Sequence, residues 1–329
     1  MTEHIEIREQ EEGVQARENL SQKRRRRKMR KNDWELQTMV WLGVLFVAVF
    51  CYAPLFGIIL AFKDGNNVLN IMNAILYGDW VGWENFRSFL ADGEFIDVML
   101  NTLGLNGLMM LINFPAPVLF ALLLNELKPV RFKRTAQTIS YLPHFLSWVV
   151  FGGIISALVN TDTGVLNALL VQSGLVSAPV DIIGDPKYFW GLIIVTSLIK
   201  GIGWGSIIYL AAISGVSKDL YEAAEIDGAN RLQRVLHVTL PGIAPSVVTF
   251  FLLSVSGILN STVEHILVFQ TQTNLSRSQV IDTMVLQYGL NHGMYSYATA
   301  IGLFKSVIAC GLLVMSNLLC KKLTGKGVY

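Results

Sequence analysis

Asn260, Glu264 and His265 fall within the run NSTVEHI, so an amide, a carboxylate and an imidazole stand close together inside an otherwise apolar stretch. On a helix, Asn260 and Glu264 are four apart and share a face. Groups of these types bind hydroxyls or pair with an opposite charge. At membrane depth they are costly and tend to face a cavity or a partner. The same holds for Asn101, Asn106, Asn113, His144, Lys200 and Lys305, each set among apolar neighbours. Two readings stay open for these side chains. Some line a path for a polar solute, or they bond helix to helix, for example through a salt bridge from Glu264 to Lys200 or Lys305. Trp148, Trp204 and Tyr297 add aromatic faces, which either stack on sugar rings or anchor helix ends at the interface.

Catalytic patterns are missing from the sequence. It contains no G-x-x-x-x-G-K-[ST] phosphate loop, no H-E-x-x-H and no G-x-S-x-G elbow. The five histidines (His4, His144, His237, His265, His292) lack paired metal-ligand spacing. Cys51, Cys310 and Cys320 are odd in number and scattered, which suits neither a disulfide framework nor a zinc site and suits small apolar fillers. No metal and no cofactor is expected on this chain, and it is not expected to be an enzyme.

A different constellation lies at 219–241, DLYEAAEIDGANRLQRVLHVTLP, charged and amphipathic between two apolar blocks. Ser217 is placed to cap a helix start, and Asp219 and Glu222 fall in its first turns, where the helix dipole favours negative charge. Leu220, Ala223 and Ala224 share a face of that helix. Gly228 interrupts it, and a second short pattern places Leu232, Val235 and Leu236 together. Pro241, which lacks an amide hydrogen, is expected to close the unit. Small residues at the centre of a bent helix pair admit another protein's backbone, so the shape is that of a docking element.

The elements that must position these groups are set by composition. The chain has 329 residues, 52% hydrophobic and 15% charged, where a soluble domain carries about a quarter charged. Six apolar stretches, at about Thr38–Phe62, Met99–Asn125, Ala136–Val159, Phe189–Ser214, Ile243–Phe269 and Tyr297–Leu319, approach the ~20 residues needed to span a bilayer. Backbone polar groups in lipid must be bonded internally, so all six are expected to be helices. Pro115 and Pro117 should bend the second, and Gly201, Gly203 and Gly205 should thin the fourth for close packing. Outside the spans, Trp83, Phe86, Phe89 and Leu90 predict a short interfacial helix, and Ile281, Met284, Val285 and Tyr288 predict another along the outer surface.

Residues 1–33 form a polar tail with eight Lys and Arg in 23–31, and 34–329 form the membrane domain. The tail is not a cleaved signal peptide, because no apolar core precedes the basic run. Beside a span, that run reads as a cytoplasmic anchor touching anionic lipid rather than a nucleic-acid patch. Basic residues alternate from loop to loop, which places both termini and the 215–242 loop on the cytoplasmic side.

Glu222-Ala223-Ala224, Asp227-Gly228-Ala229 and Leu240-Pro241 resemble the EAA loop of ABC-importer permeases. The likeness extends over roughly 38–329, through YAPLFGIILAFKD, GWENFRSFL, PAPVLFALLLNELKPVRFKRTAQTISYLPHFLSWVV, KGIGWGSIIYLAAISGVSKDLYEAAEIDGAN and SYATAIGLFKSVI, and is to LplB-type permeases, the family that imports oligosaccharides. The resemblance implies an all-α integral membrane protein of the type I importer architecture, with six spans and a cytoplasmic coupling helix pair. It implies Glu222, Ala223, Ala224, Asp227, Gly228, Leu240 and Pro241 as ATPase-coupling residues. Asn260, Glu264, His265, Trp204 and Tyr297 are the substrate-path candidates. It also implies a heterodimer with a second, similar permease, two ATP-binding subunits that hold ATP and Mg, and an extracytoplasmic solute-binding protein. Family members carry uncharged oligosaccharides or acidic ones such as alginate and pectin fragments. Around Glu264 this chain departs from the family pattern, since Val263 and His265 replace an aromatic residue and a glutamine. The rival classes are an ion-gradient-driven secondary transporter and a membrane enzyme acting on lipid or sugar.

Overall fold

A computed structural model describes residues 31–66 and 70–324. The basic run before Lys31, Lys326 and the side chain of Cys320 lie outside the described residues. Cys51 and Cys310 are free and exposed rather than fillers of a core.

Every named element is helical. In chain order they are α1 (Lys31–Val47), a π turn (Ala48–Tyr52), a 3-10 stretch (Ala53–Phe62), α2 (Ile71–Tyr77), α3 (Glu84–Leu90), α4 (Phe95–Asn113) and α5 (Pro115–Glu126). Next come α6 (Val130–Tyr141), a 3-10 turn (Leu142–Phe145), α7 (Trp148–Val159), α8 (Val165–Gln172) and α9 (Pro186–Ser214). The chain continues through α10 (Lys218–Ile226), α11 (Arg231–Arg234), a π turn (Val235–Thr239) and α12 (Leu240–Ser256). It closes with α13 (Val263–Phe269), α14 (Leu275–Ser278), α15 (Ile281–Leu286), a π turn (Gln287–Asn291) and α16 (Tyr295–Thr324).

Among the described residues, five helices are long and apolar enough to cross a membrane, and a sixth span is made if the pair Val130–Phe145 and Trp148–Val159 is taken together. That third span is not the continuous helix expected over Ala136–Val159, because its two parts meet at 106°. Pro143 cannot donate into a helical ladder. Ser147 then starts a new helix, its hydroxyl accepting the Val150 amide at 3.2 Å.

The fifth stretch also differs from expectation. Helix α12 ends at Ser256, and the turn-forming run Gly257–Thr262 separates it from α13. Asn260 therefore lies outside any helix, and it does not share a helix face with Glu264. Pro241 does not close the 215–242 unit either. The helix runs on from Arg231 to Val255, and the wide turn at Val235–Thr239 just upstream is where the chain accommodates a residue without an amide hydrogen. The segment containing Ile281 and Met284 is not a surface helix, since both side chains are fully buried. In α3, Phe86 and Phe89 are buried while Leu90 and the preceding Trp83 stay exposed, so the helix is two-faced.

Among the described residues, apolar clusters hold the membrane elements together. Leu105, Phe189, Ile193, Ile266 and Phe269 join α4, α9 and α13. Phe89, Val98, Ile281, Met284 and Ile301 join α3, α4, α15 and α16. Val118, Leu122, Tyr209, Ile213 and Ile243 join α5, α9 and α12. Lipid tails are as apolar as leucine, so close approach counts for more than burial itself. Small residues supply that approach. A Cβ on Gly203 would fall 2.2 Å from the Ser140 carbonyl oxygen, and one on Gly205 would fall 3.0 Å from Pro117. Gly201 faces open space. The glycine-rich segment thus packs closely, as expected, without breaking α9.

Gly203→Ala should force α6 off α9 and destabilise the purified membrane protein by about 1–3 kcal/mol, the usual scale of overpacking. Gly201→Ala should leave the thermal unfolding midpoint unchanged. Equal midpoints for the two variants would refute the close approach.

Candidate functional site

The 215–242 segment folds as a capped, bent element. The Ser217 hydroxyl accepts the Asp219 amide at 3.3 Å and starts α10. At the other end Gly228 takes φ +78, a left-handed conformation that a side chain resists. The Ala229 amide then reaches back to the Ala224 carbonyl at 2.9 Å, and the Gly228 amide to Glu225 at 3.1 Å. Asn230 and Gln233 restart the helix through a reciprocal capping box, at 2.8 and 2.9 Å. Two contacts close the bend. Arg234 pairs with Glu225 at 3.5 Å, and the Tyr221 and Thr239 hydroxyls meet at 3.0 Å.

The outward surface of this knuckle carries Glu222, Ala223, Asp227, Gly228 and Pro241, all exposed, with Ala224 half-buried. Large apolar side chains stand out beside them. Ile226 is 86% exposed and Leu232 67%, and Leu220 and Leu240 are also open. Apolar groups displayed on a rigid, polar-rimmed element are the mark of an interaction surface.

A second feature lies among the spans. A cavity of about 360 Å³ opens between α4, α5, α9 and α12, lined by Asn106, Asn113, Ser197, Ser254 and Asn260 together with Tyr209 and other apolar groups. Both polar side-chain atoms of Asn113 are buried with no hydrogen-bond partner. Asn106 donates to the Ser261 hydroxyl at 3.0 Å. The Ser261 amide donates to Asp282 at 2.7 Å, and Asp282 in turn pairs with Lys305.

The sequence candidates separate on this geometry. Asn260 lines the cavity. Glu264 is exposed, and the expected salt bridge from it to Lys200 or Lys305 is not formed. Lys305 is taken by Asp282, and Lys200 donates to the backbone carbonyls of Pro143, His144 and Leu146. His265 is buried, stacked on Trp148 at 3.7 Å and bonded to the Thr196 hydroxyl at 2.8 Å, so its ring has no open face. Tyr297 is a core residue, 5% exposed. Its hydroxyl donates to Asp92 at 2.7 Å, and Phe89 and Tyr288 pack edge-on against its ring. Trp204 remains 45% exposed, with His144 stacked on it at 4.4 Å and 2°.

Asn101 takes the helix-bonding role, donating to the Ser276 and Gln279 carbonyls at 3.0 and 3.1 Å. Asp282 and Ser261 escaped sequence reasoning. Asp282 falls in a stretch that patterns as a surface helix, and nothing local marks Lys305 as its partner.

Several membrane-length apolar helices, a cavity with polar groups in its wall and a bent helix pair mark a multi-pass membrane protein of the transport class. Residues 115–323 match the family described as binding-protein-dependent transport system inner membrane component. The chain belongs to that family, and is the permease component of an ABC importer. It is 36% identical over 299 residues to protein LplB of Bacillus subtilis, covering 91% of this chain and 92% of that one. It is likewise 36% identical over 294 residues to the polygalacturonan/rhamnogalacturonan transport system permease protein YteP of Bacillus subtilis, covering 89% and 90%. A crystal structure of a bacterial ABC transporter involved in the import of the acidic polysaccharide alginate contains a chain 33% identical to this one, with TM-score 0.81 over 89% of this chain and 97% of that chain. A bacterial alginate ABC transporter in complex with alginate pentasaccharide-bound periplasmic protein matches with the same identity and TM-score over 91% and 98%.

Asp282→Asn should destabilise the protein by about 1–3 kcal/mol, because it leaves the partly buried Lys305 ammonium without its counter-charge. Pairing it with Lys305→Met should recover much of that loss. Thermal unfolding of the two single variants and the double variant checks this, and simple additivity would refute the pair. Glu264→Gln, which breaks no ion pair, should shift stability by no more than about 0.5 kcal/mol.

Proposed function

We propose that this chain is one permease of an ATP-driven importer of oligosaccharides and that the knuckle at 215–242 is its coupling loop. The observation that carries the reading is the bend itself. A left-handed Gly228, doubly closed by Arg234–Glu225 and Tyr221–Thr239, holds Ile226 and Leu232 outward on a rigid mount. Because α11 continues without a stop into the membrane-length helix ending at Val255, a push on the knuckle is delivered along a rod into the span that borders the polar cavity.

The assembly this reading requires has a second homologous permease, two ATP-binding subunits and an external solute-binding protein. ATP and Mg are held by the ATP-binding subunits, and this chain hydrolyses nothing. Glu222 pairs with a basic group in a groove of the ATPase, and Ala223 and Ala224 pack against it. Residues 34–329 form the translocation domain and 1–33 a cytoplasmic tail against anionic lipid, with both termini cytoplasmic and no nucleic-acid partner. Nucleotide shifts the cavity between its two openings only through a difference in affinity for the two states. Asn260 and Ser197 offer neutral hydrogen-bonding groups to sugar hydroxyls, and Trp204 offers an aromatic face. Relatives that carry acidic polysaccharides by name support an oligosaccharide as the solute.

The test is reconstitution with the partner subunits and binding protein, with uptake measured for alginate pentasaccharide, oligogalacturonate, xylo-oligosaccharide and arabino-oligosaccharide. ATP hydrolysis should rise when the loaded binding protein is added. Gly228→Leu should assemble yet hydrolyse ATP without uptake, since left-handed backbone costs a residue with a Cβ roughly 1–2 kcal/mol and the knuckle reshapes. Wild-type uptake by that variant would sink the docking assignment. Uptake driven by an ion gradient with no need for ATP would instead favour a secondary transporter.

A further inference from the structure

Lys200 is a charged side chain that the functions above leave unused. It lies within α9 and is 8% exposed. Its ammonium donates to the Pro143 and His144 carbonyls at 3.0 Å each, and to the Leu146 carbonyl. These carbonyls lie where the third span breaks and its helical ladder lapses. An ammonium has three N–H donors and no acceptor, so three converging carbonyls match it fully. The site is also the C-terminal, negative end of the α6 segment, which favours a cation. The Trp148 and Phe151 rings flank the ammonium at 5.1 and 5.9 Å.

One face of α9 is shaped to receive the break. Lys200, Gly203 and Trp204 follow the i, i+3, i+4 rule and stand together. Gly203 lets the Ser140 backbone lie flush against the helix. Trp204, one turn beyond Lys200, carries the His144 ring on one face at 4.4 Å and 2°. The residue whose carbonyl Lys200 holds is the residue whose ring covers Trp204. On the far side of the break, Trp148 begins α7 and stacks on His265 of α13.

We propose that Lys200 is a positioning residue for translocation. It pins the break of the third span to α9 and so keeps His144 and Phe145 packed on Trp204, at 4.4 and 5.7 Å, which fixes the part of that indole left exposed to meet the solute. The proposal rests on the reading of Trp204 as part of the sugar path. A lysine suits the task better than an arginine, whose planar fork spreads its donors instead of converging them.

The experiment uses the full transporter, with Cys51, Cys310 and Cys320 replaced by serine and spin labels on cysteines at Phe132 and Leu158, which are exposed on the two arms of the break. With Lys200 present, the label-to-label distance should be single and narrow. Lys200→Met and Lys200→Arg should both broaden it. They should also raise the KM for uptake, measured with whichever of the four oligosaccharides is carried best, by about tenfold, the scale of a lost hydrogen bond to a charged group. Trp204→Ala should raise KM while leaving the distance narrow. If it leaves KM unchanged, the sugar-path reading of Trp204 fails by itself. A narrow distance in Lys200→Arg, or a broadened one with unchanged KM, overturns the positioning role. Should neither lysine variant assemble, Lys200 is a folding anchor only and the proposal is equally overturned.

Discussion

Backbone amides and carbonyls within a bilayer have no water to fall back on, and this constraint governs where the chain can bend. Among the described residues, several interruptions of the helices are met by a side chain that donates into the gap. Lys200 serves the break before Ser147. Asn167 donates to Val159 and Asn160 and also to Val180, stitching the end of α7 to the loop ahead of α9. Asn274 donates to Phe269 and Ile183, Asn101 to Ser276 and Gln279, and Asn85 to Ala61 and Lys63. A buried asparagine has two N–H donors on one nitrogen, and in these four it joins carbonyls that no helix serves. Asn113 breaks the pattern, because its amide has no protein partner and lies at the polar cavity.

The same constraint separates structural polar groups from those free to act. His265, Tyr297, Lys200 and Lys305 have their polar groups engaged by protein atoms. Asn260 and Trp204 retain open surface. The division of labour in the third and fifth stretches follows from their breaks. Each yields a short helix, α7 or α13, that packs against the other, and Gly152 admits the Val268 side chain at their contact. Breaking the two spans makes this pairing possible and places Trp148 and His265 face to face.

Much of the bent helix pair at 215–242 was legible from the residues. The Ser217 cap, the interruption at Gly228 and the clustering of small residues depend on interactions within a few positions along the chain, which are local enough to be encoded by spacing. Hydrophobic run lengths likewise revealed the membrane class. The structure departs from the sequence pattern where local signals are ambiguous. Pro143 followed by Ser147 is a stop and a start, yet inside an apolar run it reads as a bend in one helix. Pro241 reads as a terminator, but a widened turn absorbs it. Ile281 and Met284 have the spacing of an amphipathic helix, and spacing cannot say whether the apolar face meets lipid or the buried face of α16.

From sequence alone come the class of protein, the approximate spans, the bent helix pair at 215–242 and the short list of polar groups within the apolar stretches. These follow from hydropathy, capping and backbone preference, which act between near neighbours. The tertiary structure alone decided which polar group meets which. Asp282 rather than Glu264 neutralises Lys305, and Lys200 faces carbonyls more than fifty positions away. Charge pairing over such separations depends on how the helices cross, and a linear pattern carries no record of that.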